Sequence, residues 1–123
     1  MLNIWGYGYS AGLGGSAAPG MWMVGAGERL LQRARPGVLH ADLKACNAYH
    51  GALAAAACVR ASTLLITGER DQMTPLKNAR QLAAAIPGAR LVTLPGAGHM
   101  QLAERPDELL EAFTDHLLGA PAG

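Results

Sequence analysis

The sequence predicts an α/β protein built on a short parallel sheet. Three observations carry this. Residues 60–118 alternate short apolar runs with helical patterns, in the order strand, helix, strand, helix. The first run, Leu64-Leu65-Ile66, is continuously apolar, as in a strand covered by helices on both faces. Strands joined by a crossover helix pair in parallel, almost always with a right-handed connection.

The elements follow in chain order. Residues 1–20 hold six glycines interspersed with Trp5, Tyr7 and Tyr9, a composition that disfavours regular helix. Leu2 to Tyr7 is a weak strand candidate. From Met21 to Arg35, Trp22, Ala26, Leu30 and Ala34 recur at four-residue steps, and Pro36-Gly37 ends the run. Gly25 and Gly27 weaken its first turns. A second helical stretch spans Val38 to Val59, with Leu39, Leu43, Cys46, Tyr49 and Leu53 on one face and Gly51 dividing it. The chain thus divides into a helical segment, residues 1–59, and an α/β segment, residues 60–123.

In the second segment, Ser62 to Thr67 is the first strand and Glu69 to Met73 a polar loop. Thr74-Pro75 opens a helix, threonine as N-cap and proline at the first helical position. Leu76, Ala79, Leu82, Ala83 and Ile86 mark its buried face, and Pro87-Gly88 stops it. Leu91 to Leu94 is the second strand, and Pro95-Gly96-Ala97-Gly98 a tight loop. Pro106 starts the last helix, with Asp107 and Glu108 in the first turn where the helix dipole favours them. Leu109, Leu110, Phe113 and Leu117 form its expected inner stripe, and Gly119 ends it.

Composition bounds the function. Ten basic and nine acidic residues give a net charge of +1, which offers no basic surface for nucleic acid or acidic lipid. No apolar run reaches bilayer length, and no secretory signal pattern opens the chain, so a cytoplasmic protein is expected. Cys46 and Cys58 on one helix would lie about 18 Å apart, too far for a disulfide. Both read as small buried side chains in a reducing compartment, and two cysteines are too few for a metal framework.

Chemistry in open α/β sheets sits just past the carboxyl ends of the strands. Asp71 lies four residues beyond the first apolar run and His99 five beyond the second. Adjacent parallel strands place both loops on one sheet edge. A carboxylate there can accept the imidazole Nδ1–H, fix the tautomer and stabilise imidazolium, leaving Nε2 free to take a proton. Singly, Asp71 also fits a turn residue bonding its own backbone, and His99 fits a strand cap. His40, His50 and His116 fall within helical patterns and read as surface or core residues. Met21, Trp22 and Met23 read as core rather than as the lining of an apolar pocket.

Thr63-Leu64-Leu65-Ile66-Thr67-Gly68-Glu69-Arg70-Asp71-Gln72-Met73-Thr74-Pro75 resembles the acid-bearing strand and loop of α/β-hydrolases. Leu94-Pro95-Gly96-Ala97-Gly98-His99-Met100-Gln101-Leu102-Ala103-Glu104-Arg105-Pro106 resembles their histidine loop. The two motifs occur in the family's order, 28 residues apart, and the resemblance covers residues 60–118. It implies the C-terminal part of a serine hydrolase core, with Asp71 as triad acid and His99 as general base in ester or acyl hydrolysis. The preceding helices resemble, loosely, the cap such enzymes insert before the acid strand. The resemblance implies a small ester-like substrate in the parent fold and no metal or organic cofactor; which substrate is left open, because one fold hosts many reactions.

The nucleophile is the open point. Gly8-Tyr9-Ser10-Ala11-Gly12 matches Gly-x-Ser-x-Gly literally, 61 residues before Asp71. A nucleophile elbow must feed a helix, however, and Leu13 to Gly20 is a poor helix start that runs into Pro19-Gly20. The oxyanion hole further requires an N–H from a loop after an earlier strand. The expectation is therefore a truncated hydrolase carrying acid and histidine without a convincing nucleophile, inactive in isolation. The alternatives are a compact hydrolase using Ser10 and a non-catalytic interaction module. A first strand without Lys, Glu or Pro between Ser62 and Thr67 leaves an unprotected sheet edge, so either a homo-oligomer joined through it or an only marginally folded chain is also expected.

Overall fold

The computed structural model describes residues 23–119. Ser10, the Leu2–Tyr7 strand candidate and Met21-Trp22 lie outside the described residues. The elements are α1 (Met23–Arg33), α2 (Val38–Ala48), α3 (Ala52–Ala56), β1 (Leu64–Gly68), α4 (Leu76–Ala85), β2 (Arg90–Leu94), α5 (Gln101–Glu104) and α6 (Pro106–Leu117). The fold class is α/β, a partial fold whose two described strands pair in parallel, Leu64 opposite Arg90 through Gly68 opposite Leu94.

Glycine and proline set the boundaries as the sequence predicts. Gly37, Gly88 and Gly119 adopt positive φ of 85°, 70° and 67°, the left-handed conformation that glycine enters without a Cβ penalty. Gly51 caps α3 and so divides the second helical stretch. Pro106 stands in the first turn of α6, where its missing N–H is no loss.

The core lies between the sheet and α6. Alternate residues of a strand face opposite sides, and on one side Ile66, Val92 and Leu94 pack with Ala97 and with Leu109 of α6. Helix α4, the crossover, contacts both strands, and α3 packs on α4. Among the described residues the fully buried apolar side chains are few: Ala56, Ile86, Leu94, Ala97, Leu109 and Ala112.

Several expectations are corrected. Leu39, Leu43, Tyr49 and Leu53, expected on one inner face, are all exposed, and α2 buries no residue. Helical periodicity identifies an apolar stripe but not what covers it. The inner stripe of α6 is Leu109 and Ala112, while Leu110, Phe113 and Leu117 are exposed. Cys46 and Cys58 are exposed free thiols, with Cys58 beyond the end of α3 rather than on a shared helix. Thr74 does not cap the crossover helix: Pro75 occupies the N-cap position of α4. The short helix α5 was not expected. Strand β1 begins two residues later than the apolar run predicts and includes Gly68.

Candidate active site

The site forms where β1 and β2 end side by side. Parallel register brings Gly68 opposite Leu94, so the loops that follow leave the same sheet edge. Backbone bonds join them: Glu69 N–H donates to the Leu94 carbonyl at 3.1 Å and Arg70 N–H to the Ala97 carbonyl at 2.8 Å. The Glu69 carboxylate adds a third link by accepting the Gly96 N–H at 2.8 Å. Gly96 itself turns the chain at φ 68°.

Asp71 is buried, its side chain fully enclosed. Its two oxygens serve different purposes. Oδ1 accepts the N–H groups of Met73 at 2.9 Å and Thr74 at 2.8 Å, the turn-residue behaviour that aspartate favours. Oδ2 accepts the Thr74 hydroxyl at 2.5 Å and faces His99 Nδ1 at 2.9 Å. The turn reading and the histidine-pairing reading of Asp71 therefore hold together, one on each oxygen. Four donors converge on one carboxylate.

Burial disfavours the charged form of this carboxyl, but the Thr74 hydroxyl, the Thr74 N–H and His99 together outweigh it and hold the Asp71 pKa below its ordinary value. An ionised Asp71 only accepts hydrogen bonds, so its 2.9 Å contact with His99 calls for a proton on Nδ1. The imidazole is 28% exposed, and its Nε2 makes no hydrogen bond among the described residues. The pair thus presents an oriented basic nitrogen, and Asp71 also lines an open pocket with Glu69, Arg70 and Gln72.

The histidine loop has its own support. Glu104, 3% exposed at the end of α5, accepts the Gly98 N–H at 2.7 Å and the Met100 N–H at 3.2 Å, one on each side of His99. Sequence reasoning missed Glu104, Glu69 and the Thr74 hydroxyl. The spacing from Asp71 to Thr74 matches local side-chain-to-backbone bonding and was a usable signal. Glu104 stands in a helical, outwardly polar stretch that gives no such signal. His40 and His50 are exposed, and His116 Nε2 lies 3.2 Å from the Ser62 hydroxyl. No group of three or more metal-ligating side chains occurs among the described residues. No described helix is long and apolar enough to cross a membrane.

Comparison with known proteins agrees with the motifs. Residues 40–120 match the model of the α/β-hydrolase family described as TAP-like protein. An esterase from Thermogutta terrifontis is 25% identical, with a TM-score of 0.54 over 55% of this chain and 25% of its own. A predicted CIB-like hydrolase from Thermoplasma acidophilum is 30% identical, with a TM-score of 0.53 over 55% of this chain and 32% of its own. A Mycobacterium tuberculosis protein assigned as a non-heme bromoperoxidase is 31% identical, with a TM-score of 0.53 over 57% of this chain and 26% of its own. The chain spans a quarter to a third of the length of these structures. The match over residues 40–120 covers most of the chain, and the chain belongs to the TAP-like family of α/β-hydrolases.

Proposed function

We propose that this chain carries the acid and the general base of a serine-type hydrolase acting on ester or acyl substrates. The observation that carries the reading is the 2.9 Å contact between His99 Nδ1 and a buried Asp71 carboxylate at the edge where two parallel strands end. In this reading the serine O–H proton passes to His99 Nε2 as the serine oxygen bonds to the substrate carbonyl carbon. Asp71 stabilises the imidazolium so formed. The same proton goes to the leaving alcohol or amine as its bond to carbon breaks. Water then repeats the sequence on the acyl-enzyme, releasing the acid and restoring the serine.

The helices of residues 1–59 correspond in this reading to a cap over the site, and the nucleophile belongs to sequence other than Ser10. The chain by itself is then without hydrolase activity. The test uses a fluorophosphonate probe and an activated ester on the purified chain, beside its His99→Ala variant. Equal, background-level turnover and no stoichiometric labelling are expected. Stoichiometric labelling of Ser10 that disappears in His99→Ala would replace this reading with a compact hydrolase.

A further inference from the structure

We infer that Glu104 is a positioning residue for His99: its carboxylate fixes the backbone on both sides of the histidine and so sets whether Nδ1 reaches Asp71. The inference deepens the reading proposed above and rests on it for its catalytic meaning.

The geometry is specific. His99 sits between two amides, Gly98 N–H and Met100 N–H, and one buried carboxylate accepts both, Oε2 from the first and Oε1 from the second. Oε2 to Gly98 is the shorter contact, at 2.7 Å, within the range of a charge-assisted bond. Upstream, the loop is already tied to the acid loop, by Arg70 N–H on the Ala97 carbonyl and Gly96 N–H on Glu69. Downstream, Glu104 makes the corresponding tie, because α5 is itself bonded back to the loop through its own first turn: the Ala103 and Glu104 N–H groups both donate to the Met100 carbonyl at 2.9 Å. His99 is therefore suspended between two anchors. The upstream one is built from the loop carrying Asp71, the downstream one from Glu104.

The geometry uses both carboxylate oxygens, one for each N–H donor. A glutamine of the same shape offers one acceptor oxygen and one NH2 group, and the NH2 would face an N–H donor. Glu104→Gln is thus a small change in volume that removes one of the two bonds outright. Freed on one flank, the His99 backbone turns and the Nδ1–H to Asp71 contact lengthens. A neutral imidazole without that acceptor prefers its proton on Nε2 in water, so the tautomer of His99 reports the positioning directly.

The experiment is nitrogen-15 NMR of the imidazoles in the purified chain, at a pH where His99 is neutral, with a thermal melt of each variant. Wild-type His99 is expected in the Nδ1–H form, and Asp71→Ala is expected to shift it to Nε2–H. Glu104→Gln is expected to shift His99 toward Nε2–H while the melt stays cooperative. If Glu104→Gln keeps the wild-type tautomer and only lowers the melting temperature, Glu104 is merely a stabilising residue and the inference falls while the Asp71–His99 pairing stands. A wild-type His99 already in the Nε2–H form overturns both. Should Glu104→Gln not fold, amide hydrogen exchange on the wild-type chain decides: protection at Gly98 and Met100 well above that of exposed loop amides supports the clamp, and rapid exchange at both overturns it.

Discussion

Gly68 and Gly98 pass so closely that a Cβ added to Gly68 would stand 2.1 Å from the Gly98 carbonyl oxygen and 2.5 Å from that of Ala97. Both obstacles are backbone, which cannot rotate aside. The end of the acid strand and the histidine loop are therefore in contact through a position that only glycine fills. Gly68→Ala is expected to cost about 3 kcal/mol or more, at the upper end of overpacking effects. Gly88→Ala provides the comparison: Gly88 has φ +70° with nothing within 4 Å of an added Cβ, so only backbone strain of roughly 1–2 kcal/mol applies. Urea unfolding of both variants measures the difference. Equal costs would mean that the close approach does not persist in solution.

The Thr74 hydroxyl is the second test of the site. It helps to hold the Asp71 pKa down, against the burial that raises it. Thr74→Val removes the hydroxyl at nearly constant volume and is expected to raise that pKa. The sign of the linkage follows. A carboxyl with a depressed folded-state pKa stabilises the fold above its unfolded value and loses that contribution as pH falls through the folded value. In the variant this contribution is smaller, and its loss is complete at a higher pH. Carbon-13 titration of the Asp71 carboxyl and unfolding measured across the acid range report both effects. An unchanged Asp71 titration would show that the two backbone N–H bonds on Oδ1 suffice.

The contrast between Asp71 and Glu104 shows how far the sequence alone reaches. Asp71 and His99 follow apolar runs at fixed distances, and parallel pairing of those runs is enough to bring them to one edge. The strand, crossover and strand, the stops at Pro87-Gly88 and Gly119, and the break at Gly51 were legible for the same reason: each depends on local periodicity or on a residue with an unusual backbone. Glu104 depends on a four-residue helix folding back beneath the histidine loop, which no periodicity encodes. The exposed faces of α2 and α6 failed in the other direction. Leu39, Leu43, Leu110 and Phe113 repeat as a buried stripe should, but amphipathic spacing states only that a face is apolar.

Thr67 makes a smaller prediction about the same strand. It is 4% exposed and its hydroxyl has no hydrogen-bond partner among the described residues. Burying an unpaired hydroxyl costs about 1–3 kcal/mol. Thr67→Val keeps the shape and the β-branching and removes the unpaired group, so stability is expected to rise by roughly 1 kcal/mol. A loss of that size in urea unfolding would show that the hydroxyl has a partner in solution.

Strand β1 carries the last prediction. In the described residues it pairs with β2 along one edge only. The other edge presents N–H and C=O groups of an apolar strand, and the residues from Ser62 to Thr67 include no Lys, Glu or Pro to discourage a second strand from adding there. Two strands with a small buried core are also a weak foundation for independent folding, and the described residues fully bury just six apolar side chains. Self-association through this edge is therefore expected, visible as a mass that rises with concentration in size-exclusion chromatography with light scattering. A charge placed immediately before β1, Thr63→Lys, is expected to shift the equilibrium toward monomer, because a strand extending along this edge would pack against it. A monomer whose mass does not vary with concentration, and which melts in one sharp transition, would show that the β1 edge is already covered within a single chain.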